Sequence, residues 1–189
     1  EPFCSLDMHV KLKLRSELPN ILRGCNASGL MVTHDPEEAM SICDKVAVMN
    51  EGKIHQIDTP INLLNNPKTI FVSSFILGNN IINIKKTGNS LMSCLGEINT
   101  AGLINNTHVN KMSISPKFIS IRKSESGNAN VISKEFLGEY LIYKVSINEN
   151  ILRARTNINN LLNVGDKCSL FIKNNSYYYL YPGAHKVFI

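Results

Sequence analysis

The feature that most constrains this chain is a change of texture at Gly78. Beyond it, short runs rich in β-branched and aromatic residues recur at 81–84, 112–114, 118–121, 131–136, 140–147, 151–154, 168–172 and 177–181, separated by Asn, Gly, Ser and Lys. Runs this short and this interrupted cannot sustain helices. Regularly spaced short strands are the pattern of an all-β barrel or sandwich. Asn reaches 24 copies but lies in the turns and forms no tract, so low complexity is not indicated.

Before Gly78 the pattern mixes helix and strand. Asp7 precedes Met8, Val10, Leu12 and Leu14 and predicts an N-capped helix to about Leu22, bent near Pro19. Leu30-Met31-Val32 predicts a short buried strand running into a loop at Thr33-His34-Asp35. Asp35-Pro36-Glu37-Glu38 is a helix start, with a cap, a proline in the first turn and acids at the positive end of the helix dipole. The apolar run from Lys45 to Met49, the turn Asn50-Glu51-Gly52 and the return from Ile54 to Ile57 predict a hairpin. Thr59-Pro60 opens a short helix, and Thr69 to Ile76 reads as another.

Composition supports folding rather than disorder, with 43% apolar and 19% charged residues among 189. The longest apolar stretch, 70–77, is broken by Ser73 and Ser74 and is far shorter than the ~18–20 residues of a membrane-spanning helix. The first residues lack the pattern of a secretion or import leader. Five scattered cysteines without a CxxC pair read as reduced thiols. The net charge of +5 divides into seven basic and nine acidic residues up to Leu77, and thirteen basic and six acidic after it. The later cations are dispersed pairs such as Lys85-Lys86 and Arg122-Lys123, without a nucleic-acid motif, so solvated faces are expected and nucleic acid is not.

Three motifs in the first part occur in a fixed order: Glu1-Pro2-Phe3-Cys4-Ser5-Leu6-Asp7; Val32-Thr33-His34-Asp35-Pro36-Glu37-Glu38-Ala39; and Asp44-Lys45-Val46-Ala47-Val48-Met49 leading to Gly52-Lys53-Ile54, Gln56 and Thr59-Pro60. Together they resemble the ATP-binding subunits of ABC importers, with the end of the Walker B strand and the D-loop in the first motif and the switch-histidine loop in the second. Phe71-Val72-Ser73-Ser74-Phe75-Ile76-Leu77-Gly78 with Asn80 resembles the junction to that family's C-terminal β domain. Glu135-Phe136-Leu137-Gly138 with Tyr143 and Val145, and Gly165-Asp166-Lys167-Cys168, resemble the signatures of that transport-associated OB-like (TOBE) domain, with Gly138 and Gly165-Asp166 expected at a bend and a tight turn.

The resemblance implies an α/β fold, the C-terminal part of a P-loop nucleotide-binding domain over 1–77, followed by an all-β OB-like domain over 78–189. It implies that Glu1 polarises the water attacking the γ-phosphate of ATP, a task suited to a carboxylate. It implies that His34 donates a hydrogen bond to that γ-phosphate, and that Cys4, Ser5, Leu6 and Asp7 form a D-loop at the interface with a second ATPase subunit. Asp7 doubles as a helix cap. The cofactors implied are ATP and Mg2+, with no metal ligands assigned in this chain. The implied partners are the twin ATPase subunit, the transmembrane permeases and, indirectly, a periplasmic or extracellular solute-binding protein, at the cytoplasmic face of the membrane.

The sequence departs from the pattern in Cys4-Ser5 and in Asp58, where Ser-Ala and Gly are usual. It holds no G-x-x-x-x-G-K-[ST] loop and no L-S-G-G-Q signature, so these residues alone are not expected to hydrolyse ATP. Leu18 to Leu22 and Ile42 to Met49 look most like the ferric-iron branch of importers, with polyamine as the alternative cargo. Readings from other classes are a free-standing OB-like module that binds a small anion or an oligonucleotide, and a structural pseudo-enzyme.

Overall fold

The computed structural model describes residues 3, 5–88, 90–99, 108–159 and 162–189, and the chain packs as two units, 1–67 and 68–189. The sequence motifs put the boundary after Leu77. In packing the break falls ten residues earlier, because the helix before Gly78 is bonded into the β unit.

In the first unit, Asp7 accepts hydrogen bonds from the backbone N–H groups of His9 and Val10 and caps helix α1 (Met8–Gly24), which carries Pro19 inside it. Helix α2 (Pro36–Ile42) starts at the Asp35 cap. Strands β1 (Val46–Asn50) and β2 (Lys53–Asp58) form an antiparallel hairpin with an irregularity at Val48/Met49. Helix α3 (Pro60–Asn65) is capped by Thr59, and the buried Gln56 amide donates to the Asn66 carbonyl at 3.1 Å, tying the end of α3 to β2. Val46, Val48 and Leu63 are buried in this unit.

The expected buried strand at 30–32 does not form. The segment is irregular, with Leu30 97% and Val32 72% exposed. A strand is stable only where a neighbour takes up its backbone hydrogen bonds. The strands described in this unit, β1 and β2, pair with each other and offer residues 30–32 no ladder. Helix α1 likewise buries none of its residues, and Met8, Val10, Leu12 and Ile21 lie exposed.

The second unit begins with helix α4 (Ile70–Leu77), capped by Thr69 and closed by Gly78 in the left-handed region. Its Ser73 hydroxyl shares a buried hydrogen bond with Ser113, and the Asn79 amide donates to both hydroxyls at 3.1 Å. This buried polar network fixes α4 to the sheets. Antiparallel strands follow: β3 (Asn80–Asn83), β4 (Lys85–Thr87), β5 (Ser90–Ser93), β6 (Gly96–Asn99), β7 (Lys111–Ile114), β8 (Ile119–Lys123), β9 (Ala129–Phe136), β10 (Tyr140–Ile147), β11 (Asn150–Asn157), β12 (Lys167–Ile172), β13 (Tyr177–Tyr181) and β14 (His185–Phe188). They form sheets of order β11-β10-β9-β12-β8, β14-β13-β7-β3 and β4-β5-β6. A 3-10 turn (Pro116–Phe118) and β8 also lie against β11, so the five-stranded sheet curls back on itself. One apolar core joins all three sheets through Ile82, Leu91, Met112, Ile119, Tyr143, Leu152 and Leu180.

The chain is therefore a mixed α/β unit followed by an antiparallel β unit. Gly138, at φ +75°, turns the chain between β9 and β10. Asp166 closes the turn before β12 by accepting from the Asn163 N–H at 2.9 Å and pairing with Lys123 at 3.0 Å. The Tyr177–Tyr181 strand alternates its faces, yet both are covered: Tyr178 and Leu180 enter the apolar core, while Tyr179 and Tyr181 are also buried. Of the dispersed cations, Arg153 is bonded into the fold, donating to the Gly78 carbonyl while its backbone N–H and C=O pair with the Asn80 amide.

Candidate functional site

The loop 33–35 is built by its own side chains. Thr33 Oγ1 accepts from the Asp35 N–H at 3.1 Å and donates to Glu38 Oε2 at 2.6 Å. Asp35 Oδ1 accepts from the Glu37 N–H at 2.9 Å, which starts α2, and its Oδ2 accepts from Arg15 Nη2 at 2.9 Å. Both neighbours of His34 are thus committed to holding the loop, and the imidazole stands exposed between them. A neutral imidazole can donate from one nitrogen while the other accepts.

Behind the loop lies an ionic cluster between α1 and α2. Lys11 Nζ sits 2.6 Å from Glu38 Oε1 and 3.8 Å from Asp35 Oδ2, and Arg15 Nη2 lies 3.5 Å from Glu38 Oε1. Two cations and two carboxylates cancel in charge. Glu38 is 3% exposed, and the Lys11 ammonium bonded to it, with the Thr33 hydroxyl, holds its carboxyl down at about 2, against an ordinary value of 4.5. Burial acts in the opposite sense and is outweighed. Glu38 is therefore ionised throughout the physiological range.

The sequence motifs name His34 and Asp7, and the structure links them through this cluster. Asp7 caps α1, Lys11 follows one helical turn later, and Lys11 grips the helix that begins just after His34. In the first motif, the Leu6 N–H donates to the Phe3 carbonyl at 3.2 Å, Phe3 is buried, and Ser5 and Leu6 are exposed. Glu1 and Cys4 lie outside the described residues. Lys11 and Arg15 lie outside the sequence motifs, and Thr33 and Glu38, quoted within the second motif, were not read as part of an ionic cluster. Lys11/Arg15 at i, i+4 and Asp35/Glu38 at i, i+3 each share one helix face, but each pair alone looks like a solvated surface. Among the described residues no three His, Cys, Asp or Glu side chains converge as a metal site.

No family model matches the chain. The spermidine/putrescine import ATP-binding protein PotA of Trichormus variabilis is 32% identical over 179 residues, covering 82% of this chain and 46% of that protein. PotA of a Nostoc species is 31% identical over the same length, with the same coverage. PotA of Bacillus thuringiensis strain Al Hakam is 48% identical over 82 residues, 43% of this chain and 25% of that protein. The chain is homologous to the C-terminal portion of these ABC importer ATP-binding proteins. It spans about half the length of the Trichormus and Nostoc proteins. Their names speak of spermidine and putrescine, and none of these relatives supports the ferric-iron reading.

Proposed function

We propose that the protein serves as the ATP-hydrolysing subunit of an importer for polyamines. The observation that supports this best is the loop 33–35, which fixes both neighbours of an exposed His34 and is braced against the helix after the D-loop. The polyamine cargo is taken from the names of the relatives.

In this reading, ATP with Mg2+ supplies the phosphoryl group to be transferred. His34 donates a hydrogen bond to the terminal phosphate from a loop that cannot drift, because Thr33 and Asp35 are anchored. Glu1 orients the attacking water and accepts its proton. Cys4, Ser5, Leu6 and Asp7 face a second ATPase subunit, and α1 carries a change there to the His34 loop through Lys11 and Arg15. Residues 1–77 are the nucleotide-binding part and 78–189 a TOBE-like domain. The assembly includes membrane permeases and a solute-binding protein and works at the cytoplasmic face of the membrane.

The test is uptake of labelled spermidine by cells that carry the native gene, a deletion, or Glu1→Gln or His34→Ala in the complete subunit. Deletion and both substitutions are expected to abolish uptake, and Glu1→Gln is expected to leave ATP binding intact while hydrolysis falls at least a hundredfold. Loss of ferric-ion uptake with spermidine uptake unchanged would refute the cargo. Unchanged hydrolysis in Glu1→Gln would remove that residue from its role.

A further inference from the structure

A cleft of 340 Å³ opens on the second unit, lined by Lys117, Glu139, Tyr140, Arg155, Thr156, Asn157 and Lys173. Its cations come from three places: the 3-10 turn before β8 (Lys117), strand β11 (Arg155) and the end of β12 (Lys173). Each is held by a neutral partner. Lys173 Nζ donates to the Lys117 carbonyl at 2.7 Å, the Arg155 guanidinium lies 3.7 Å over the Tyr140 ring, and Lys117 Nζ lies 4.8 Å over Phe118. Among the described residues no carboxylate lies within ion-pair distance of any of the three, Glu139 on the rim included. On the same unit, Lys123 does have such a partner in Asp166.

Three like charges gathered around a concavity repel one another, and their field is focused by the low-dielectric wall behind them. Holding them with carbonyl and ring contacts fixes their positions and leaves their charge uncompensated. The ring contact of Arg155 is not a hydrogen bond, so its N–H groups can donate a forked pair to a phosphate or carboxylate. The volume is at the small end of ligand sites, which run from about 300 to 1,000 Å³.

We propose that this cleft is a binding site for a small polyanion carrying two or more phosphate or carboxylate groups, with Arg155, Lys117 and Lys173 as its ligands. The site lies wholly within the β unit and does not depend on the ATP-hydrolysis reading, so the two can fail separately.

The experiment is titration of the full chain, without ATP, with tripolyphosphate and with citrate at ~0.1 M salt, followed by calorimetry and by amide NMR. Saturable binding is expected, with shifts at 117, 140, 155–157 and 173. Lys117→Gln and Lys173→Gln, both exposed positions chosen to spare the fold, should each weaken it at least tenfold, and Lys85→Gln, an exposed cation outside the cleft, should leave it unchanged. Tighter binding of tripolyphosphate assigns phosphate, and tighter binding of citrate assigns carboxylate. No saturable binding of either anion, or equal weakening by Lys85→Gln, would overturn the proposal.

Discussion

Replacing Glu38 with Gln removes one negative charge and almost no volume from the cluster that braces the His34 loop. A carboxyl held at about 2 instead of 4.5 corresponds to a ceiling of about 3 kcal/mol at neutral pH. Lys11 and Asp35 are 21% and 28% exposed, so water screens the cluster and the expected loss is about 1–2 kcal/mol. Because the folded value is depressed, the stabilisation is complete above pH ~4.5 and is lost as pH falls towards ~2. The assay is hydrogen exchange of the α2 amides of Ala39 and Cys43, which donate to the Asp35 and Ala39 carbonyls. Protection should fall roughly 5–30-fold in Glu38→Gln at pH 7, and the same loss should appear in the native chain as it is acidified through this window. Glu37→Gln, on the exposed side of the same helix, is the control and should change protection little. Equal effects of the two substitutions, or a Glu38 carboxyl carbon that titrates near 4.5 by NMR, would refute the reasoning.

Three further substitutions test the β unit by denaturant unfolding. The buried Tyr178 hydroxyl has no hydrogen-bond partner among the described residues, so Tyr178→Phe should stabilise the fold by about 1 kcal/mol, and a loss would mean that the hydroxyl is satisfied. Ser113→Ala strips a buried network in which Ser73 and Asn79 depend on that hydroxyl, and should destabilise by about 1–3 kcal/mol. A Cβ at Gly127 would run into the Cys168 backbone carbonyl, so Gly127→Ala should lower stability by about 1–3 kcal/mol through forced displacement of β12; an unchanged midpoint would show that the chain yields there at no cost.

Local rules made much of this fold legible in advance. Asp7, Asp35 and Thr59 cap helices as expected, because a short oxygen-bearing side chain satisfies the first N–H groups wherever the helix goes next, and Thr69, read as the start of its helix, is its cap. The hairpin at 50–52 and the longer β runs were equally readable, since turn residues and period-2 apolar patterns act over a few residues. Strands β4, β5 and β6 were not. Lys85-Lys86-Thr87 has no apolar face, and the other two strands send only Leu91 and Ile98 into the core. Residues 30–32 have a strand's composition, but pairing with a neighbour decides whether a strand exists.

The candidate site divides in the same way. The motifs that hold Asp7 and His34 stand out by order and spacing, because each is contiguous in the chain. The cluster of Lys11, Arg15, Asp35 and Glu38, and the cleft of Lys117, Arg155 and Lys173, do not. Each is assembled from residues far apart in the chain that look like ordinary solvated charges. The sequence by itself determined most of the caps, the turns, the β-rich second half and the resemblance to importer ATP-binding subunits. Tertiary structure alone decided which charges meet, which stay uncompensated and which carboxyl is buried, because electrostatic energy depends on distance through space and on exclusion of water, and neither is written in the order of residues.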